Sequence, residues 1–259
     1  MDVDVRERED ATTHCGATHT GFAATAPDVV AEIDLAGSAC LPSAVSAGWL
    51  EQVRGFAADM VGGQHEMMIE GVEAAGLPFL QELTADAGLR HLAESVARLA
   101  YPGGDDDDRE FDCAVRIIDG PDPQDRPLWL HYDASVLTVV LPVLVPEATA
   151  GQSGELVLCP NRRGYRRSVL INVAEKAIAQ SDAYRRRFLR RLRWGLDTEI
   201  VSMTPGNAYL FWGYRSYHAT LPCAPGTRRI TVVLHYKNVH AHSRVLERAK
   251  AIRTLLRPA

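Results

Sequence analysis

Near residue 105 the chain changes its apolar period, and that switch limits the folds open to it. Before the switch, apolar side chains recur at three- and four-residue steps. Val45, Leu50, Val53, Phe56, Ala57 and Met60 form one such series from Pro42 to the stop at Gly62 and Gly63. Leu89, Leu92, Val96 and Leu99 form another within residues 84–100, closed by Tyr101, Pro102, Gly103 and Gly104. These stripes predict two amphipathic helices. After the switch, short β-branched and aromatic runs alternate with Pro/Gly turns, at residues 111–118, 128–145, 154–159, 198–203, 208–212 and 229–236. Residues 28–33 read as a further short strand. Two helices followed by about eight strands predict a mainly β fold with flanking helices: two stacked sheets or a barrel, helices packed on one side.

Length sets the domain count. A chain of 259 residues, 46% hydrophobic, can bury a core without disulfide or metal staples. Residues 1–26 lack periodicity and read as a mobile arm. The remainder, 27–259, reads as a single domain: a helical front at 42–100, a barrel at 111–238, an Arg-rich insert at 161–197 and a C-terminal helix at 241–257. The five cysteines (15, 40, 113, 159 and 223) contain no C-x-x-C pair and read as free thiols in a reducing compartment. The acidic N-terminus lacks an apolar h-region, and no apolar run is long enough to span a bilayer, so a cytoplasmic protein is expected. A net charge of −5 disfavours a general nucleic-acid binder. The acidic run at residues 105–108 reads as a solvated loop, because adjacent carboxylates point apart and repel.

Two segments of the β half carry metal-ligand chemistry. One is Trp129-Leu130-His131-Tyr132-Asp133; the other runs from Trp212 through His218 to Arg228 and Arg229. On a strand, residues two apart share a face, so His131 and Asp133 are neighbours with Tyr132 opposite. His218 follows the run at 208–212, where a short turn brings it alongside a partner strand. Two imidazoles and one carboxylate fill one face of an octahedral Fe(II) and leave three positions open. A structural zinc site would use four closed ligands, usually with Cys. A lone H-x-D arises often by chance in a chain with nine histidines. The ordered set does not: H-x-D, then Gly154-Glu155-Leu156-Val157-Leu158, then Pro205-Gly206 leading to Phe211, then His218, then a G-x-R ending at Arg228.

In that order these residues resemble the Fe(II)/2-oxoglutarate-dependent dioxygenases, closest in texture to the prolyl-hydroxylase-like and phytanoyl-hydroxylase-like branches. The resemblance covers residues 111–238 apart from the insert. It implies a double-stranded β-helix core, the cupin-like jelly roll, with His131, Asp133 and His218 as ligands of Fe(II). It also implies 2-oxoglutarate and O2 as co-substrates, with succinate and CO2 released, and an arginine for the distal carboxylate of 2-oxoglutarate. By alternation only one of Arg228 and Arg229 faces the barrel interior. Arg228 is favoured because it fits G-x-R; Arg229 would put Thr231 on its own side, with a hydroxyl to share the carboxylate. Related halogenases carry Ala or Gly where this chain has Asp133, so hydroxylation is expected, with desaturation or cyclisation open. Trp212 and Tyr217 are candidates for the substrate pocket or for core packing. His235, His240 and His242 read as exposed.

The expected substrate is a small molecule of specialised metabolism, a guess from the high Arg-to-Lys ratio and abundant Ala. An oxygenase acting on a protein or nucleic acid, and a non-catalytic metal-binding barrel, remain open. The Arg-rich insert is the support for the macromolecular option. There Tyr184, Phe188, Leu189 and Leu192 share one face of a helix starting near Ser181, with Arg185, Arg186, Arg187, Arg190, Arg191 and Arg193 around it. It reads as a solvated face or as a lid at the barrel mouth. A carrier protein and a second copy of the chain are candidate partners; nothing points to a membrane.

Overall fold

Alternation along one central strand organises the core. β9 (Arg228–Asn238) turns Ile230, Val232, Leu234 and Tyr236 to one face and Arg229, Thr231, Val233 and His235 to the other. In the computed structural model, which describes residues 21–60, 65–102, 110–121, 128–166, 169–179, 181–193 and 198–240, β9 is flanked by β4 (Ser135–Leu144) and β3 (Phe111–Asp119). The antiparallel sheet is completed by β7 (Ala208–Phe211) and β1 (Ala39–Leu41) beyond β4, and by β2 (Glu66–Glu70) beyond β3. A smaller sheet has the order β6 (Glu199–Val201), β5 (Leu156–Cys159), β8 (Tyr217–Thr220). A bridge between His131 and His218 extends it beyond β8. Residues 1–20, 105–108 and 241–257 lie outside the described residues, and with them most of the expected arm, the acidic loop, the C-terminal helix and His242. The end of the expected arm, residues 21–26, is not mobile but packed, with Gly21 N donating to Ser43 O at 3.2 Å and Phe22 and Ala24 against the core.

Each sheet face has its own partner. The outer face of the large sheet packs against the helices, with Val139, Leu141, Val232 and Leu234 meeting Leu89, Leu92 and Val96 in one cluster. Between the sheets, Val140, Tyr209 and Phe211 of the large sheet meet Leu156, Leu158, Val201 and Met203. Two facing sheets with helices covering one outer face make the jelly roll expected from the sequence.

The helices depart from expectation where capping overrules periodicity. Residues 28–33, expected as a strand, belong to α1 (Ala26–Ala36). Thr25 caps its start, Pro27 occupies the first turn, and Gly37 closes it at φ 88°. Val29 and Ile33 are buried four residues apart, a helical step that the β-branched pair Val29-Val30 disguises as strand. α2 (Ala47–Asp59) begins at its cap Ser46 rather than at Pro42. The short α3 (Gly71–Ala75) follows β2. The single helix expected over 84–100 is two, α4 (Pro78–Ala85) and α5 (Ala87–Ala100). Asp86 separates them, its carboxylate accepting from Leu89 N at 2.7 Å as the cap of α5.

The insert contains α6 (Val169–Ala179), not foreseen, and α7 (Asp182–Arg193), which was. It does not sit as a lid in its described part. Ala179 and Phe188 pack with Cys159, Tyr217 and Ala219 on the outer face of the small sheet. Phe188 and Tyr184 lie 4.9 and 5.5 Å, ring to ring, from Tyr217. The reason is the alternation of β8: Tyr217 and Ala219 face outward and need cover. Cys40, Cys113, Cys159 and Cys223 are buried. Among the described residues no helix is long and apolar enough to cross a membrane.

Leu234 has no exposed surface and faces the helices. Leu234→Ala is expected to cost about 2–5 kcal/mol, read as a lower urea midpoint with an unchanged slope.

Candidate metal centre

Backbone pairing brings the two histidines together. His131 N donates to His218 O at 2.9 Å, and His218 N donates to His131 O at 3.0 Å. Residues that exchange both bonds lie directly opposite in an antiparallel pair and project their side chains to the same face. The imidazole centroids are accordingly 4.4 Å apart. His218 therefore lies on a strand, β8, beyond the turn that follows β7.

Each ring is then fixed by a carbonyl. His131 Nδ1 is 2.9 Å from Trp129 O, and His218 Nδ1 is 3.1 Å from Ser216 O. A carbonyl only accepts, so each Nδ1 carries the hydrogen and each Nε2 presents a lone pair. Both lone pairs meet Asp133: His131 Nε2 is 3.5 Å from Oδ1, and His218 Nε2 is 3.4 Å from Oδ2. One ligand atom from each of the three residues lies within 4.8 Å of the others. Three electron-pair donors converging in a largely buried site repel one another unless a cation sits among them. The set fits a divalent metal, with the outer imidazole nitrogens already held as metal-binding histidines require.

Asp133 is held from behind. Its N–H donates to Gly213 O at 3.0 Å, and its Oδ2 accepts from Thr138 Oγ1 at 2.6 Å. His235 Nδ1 stands 3.6 Å from the same oxygen. Burial alone would raise the Asp133 carboxyl; when the rings are protonated at Nε2 in place of a bound cation, the charges of His218 and His235 and hydrogen bonds from His131 and His218 hold it well below the usual carboxylate range.

Further along the inner face of β9 lies a second unsatisfied group. Arg229 is 2% exposed, its Nε has no hydrogen-bond partner, and its Nη2 reaches only Met203 Sδ at 4.0 Å. Thr231 Oγ1, on the same face, is also buried without a partner. Gly154, at φ 72°, makes the room: a Cβ there would collide with Arg229 Cδ. Glu155 cannot neutralise the guanidinium by contact, because its carboxylate caps the turn through Gly151 N at 2.6 Å and Ser153 N at 3.1 Å. Neighbouring Arg116 is spoken for by Glu66 at 2.5 Å. Burial, reinforced by Arg116, pushes Arg229 down to about 10. A buried, unpaired guanidinium beside an unpaired hydroxyl suits the carboxylate of a small organic acid.

Solved structures share this architecture. A Pseudomonas putida prolyl-4-hydroxylase aligns over 86% of this chain and 99% of its own, at 13% identity and a TM-score of 0.51. SnoN, a non-heme α-ketoglutarate-dependent epimerase from nogalamycin biosynthesis, aligns over 84% and 87%, at 14% identity and 0.54. HygX from Streptomyces hygroscopicus, solved with nickel and 2-oxoglutarate, aligns over 81% and 86%, at 12% identity and 0.53. The fold is that of the 2-oxoglutarate-dependent iron oxygenases. No family model matches the sequence, and no curated protein matches it.

Within this oxygenase fold several side chains sit elsewhere than expected. Arg228, favoured from G-x-R, points away: its Nε and Nη2 reach Asp119 at 2.6 and 2.7 Å, a half-exposed pair between β9 and β3. The strand begins one residue earlier than expected, at Arg228, and Arg229 takes the inward position. Trp212 is buried on the helix side, its indole N–H donating to Asp34 Oδ1 at 2.8 Å. Tyr217 faces the insert and donates its hydroxyl to Ala179 O. Neither lines the cleft. His235 is not an exposed bystander but stands behind Asp133, and His240 is buried as well. Thr138 and Gly213 carry no motif, so sequence reasoning had no signal for them.

One contact from the insert braces both ligand segments. The Arg163 guanidinium is sandwiched between Tyr132 at 4.1 Å and Tyr214 at 3.9 Å, and donates to Tyr214 O at 2.6 Å. Tyr132 separates His131 from Asp133, and Tyr214 adjoins Gly213.

The two arginines should respond oppositely to neutral replacement in the ligand-free protein. Arg229→Met removes a buried, unpaired cation and is expected to leave the melting temperature unchanged or raised. Arg228→Met breaks an ion pair and should lower it slightly, by the ~1 kcal/mol or less that half-exposed pairs contribute. The sign with pH follows from linkage. The folded pKa of about 10 lies below the usual range of an arginine, so from there upward the unfolded chain holds more protons and stability rises with pH. Arg229→Met should remove that rise, as measured by urea titration at pH 9 to 11.

Proposed function

We propose that this protein is an Fe(II)/2-oxoglutarate-dependent oxygenase that hydroxylates a small molecule, releasing succinate and CO2. The observation that carries the reading is the conjunction, inside one barrel, of three converging ligands and a buried arginine left without a counter-charge. His131, Asp133 and His218 would hold Fe(II); Arg229, with Thr231 beside it, would take the distal carboxylate of 2-oxoglutarate. Bound there, iron, 2-oxoglutarate and O2 supply an oxidative decarboxylation coupled to attack on a substrate C–H bond.

The protein's own contribution is placement and charge. The Trp129 and Ser216 carbonyls keep hydrogens on both Nδ1 atoms, so both Nε2 atoms stay available. Asp133 remains ionised at neutral pH and offsets one metal charge. The low-dielectric interior around Arg229 strengthens its attraction for an anionic co-substrate and disfavours neutral ones.

Small-molecule chemistry is favoured by the fold's neighbours, since SnoN and HygX were solved with nogalamycin RO and hygromycin B. Trp129, 60% exposed and two residues before His131, has one ring face under the Arg185 guanidinium of the insert at 3.8 Å and could offer the other to such a ligand. The insert, which prompted the macromolecular alternative, spends its described apolar side chains on the outer face of the small sheet and reaches the H-x-D segment through Arg185, stacked on Trp129.

Anaerobic addition of Fe(II) and then 2-oxoglutarate should produce a weak visible charge-transfer band; its absence would overturn the assignment. Replacing His131, Asp133 or His218 by Ala should abolish 2-oxoglutarate-dependent succinate formation. Arg229→Met should raise the KM for 2-oxoglutarate by at least ten-fold, about what one charge-assisted hydrogen bond contributes. Arg228→Met should leave that KM essentially unchanged; the reverse outcome would return the role to Arg228.

A further inference from the structure

We propose that Thr138 is a positioning residue whose hydroxyl, with Gly213 packed against it, locks the rotation of the Asp133 carboxylate and so sets the site's affinity for its divalent cation. This rests on reading His131, Asp133 and His218 as cation ligands, and concerns two residues outside that set.

Thr138 lies on the inner face of β4, opposite His235 on β9 and Phe211 on β7, and is 1% exposed. Its Oγ1 is 2.6 Å from Asp133 Oδ2, at the short end of the range for a hydroxyl donating to a carboxylate. A threonine hydroxyl has one hydrogen, and an ionised carboxylate only accepts, so that hydrogen is committed to Asp133. The oxygen's lone pairs are also engaged, with Ser135 Oγ at 3.2 Å and His235 Nδ1 at 3.3 Å. Ser135 Oγ in turn lies 3.2 Å from His235 Nδ1. Branching at Cβ restricts χ1 of Thr138, so the hydroxyl is fixed by its own strand as well as by these partners.

Gly213 supplies the opposing wall. A Cβ at this position would collide with Thr138 Oγ1, and would stand 2.7 Å from Asp133 Oδ2 and 3.0 Å from Asp133 Cβ. Gly213 is not among the residues with positive φ, so glycine is required here for space and not for backbone conformation. Its carbonyl also receives the Asp133 N–H at 3.0 Å. Asp133 is thus pinned at its backbone, at one carboxylate oxygen and along its flank. It cannot turn about its side-chain bonds without abandoning a buried hydrogen bond or meeting Gly213. Its oxygens therefore keep facing the two Nε2 atoms before any cation arrives, and outer contacts of this kind typically govern metal affinity by 10–100-fold.

The test is Co(II) binding to the full chain by chelator competition, with the visible Co(II) spectrum recorded in parallel. Thr138→Val keeps the shape and removes the hydroxyl; it should weaken Co(II) binding by about 10–100-fold and alter the spectrum. Thr138→Ser restores the hydroxyl and should recover the wild-type affinity and spectrum. Gly213→Ala, which displaces both groups while retaining the hydroxyl, should weaken binding as Thr138→Val does. Unchanged affinity and spectrum in folded Thr138→Val would overturn the proposal, as would an equal loss in Thr138→Ser. Should Thr138→Val fail to fold, Gly213→Ala decides, with wild-type affinity counting against the proposal and weakened affinity for it. A wild-type protein that binds no Co(II) would instead refute the ligand set, which separates that failure from this one.

Discussion

Two backbone hydrogen bonds, exchanged between His131 and His218, hold the site together. They join the extended segment that carries H-x-D to β8 of the small sheet, across 87 residues of chain. Because the pair is antiparallel and directly opposed, the imidazoles share a face with no choice of rotamer needed to bring them close. Alternation does the rest: Asp133 follows His131 on the same side, while Tyr132 and Tyr217 turn outward. The same pairing thus decides where the ligands meet and which apolar residues the insert must cover.

The interior of the barrel holds groups that a stable core would avoid. Asp133 is ionised and buried, and Arg229 is cationic, buried and without a partner. Arg229 costs stability in the ligand-free chain, since a buried charge is tolerable only when paired, whereas Asp133 is kept ionised by its neighbours. A carboxylate arriving at Arg229 would turn that cost into attraction. The surrounding contacts support the strain rather than relieve it. Thr138 and Gly213 hold Asp133, Gly154 leaves room for Arg229, and Glu155 spends its charge on its own turn. Stability is supplied elsewhere, by the outer face of the large sheet and its helices.

The insert changes meaning once its packing is visible. Its arginines suggested an electrostatic surface, and Arg186, Arg187 and Arg190 are indeed exposed. Arg163 is not: it is buried between two tyrosines that neighbour the ligands. Phe188 and Tyr184 cover Tyr217 from the same side. Arginine is suited to this role because a planar guanidinium stacks on aromatic faces while its edges donate hydrogen bonds. The insert acts on the metal centre through the backs of the strands that carry it.

The β-rich half, the two-sheet architecture and the grouping of His131, Asp133 and His218 were legible in residue order. Strand alternation is a local rule, and H-x-D obeys it within three residues. The capping that turned residues 28–33 into a helix and split 84–100 at Asp86 was also written locally, but β-branching and apolar period spoke louder. The choice between Arg228 and Arg229 was not legible, since it depends on where β9 starts and how it registers with β3; a shift of one residue exchanges the two faces. Thr138, Gly213 and His235 were invisible for a related reason. Gly213 and His235 meet Asp133 from far along the chain, a contact made through sheet register that leaves no mark in spacing. Thr138, five residues on, reaches it only because the chain bends at residue 134 before β4 begins. Sequence named the atoms able to bind a metal; the register of the sheets decided which neighbours hold them in place.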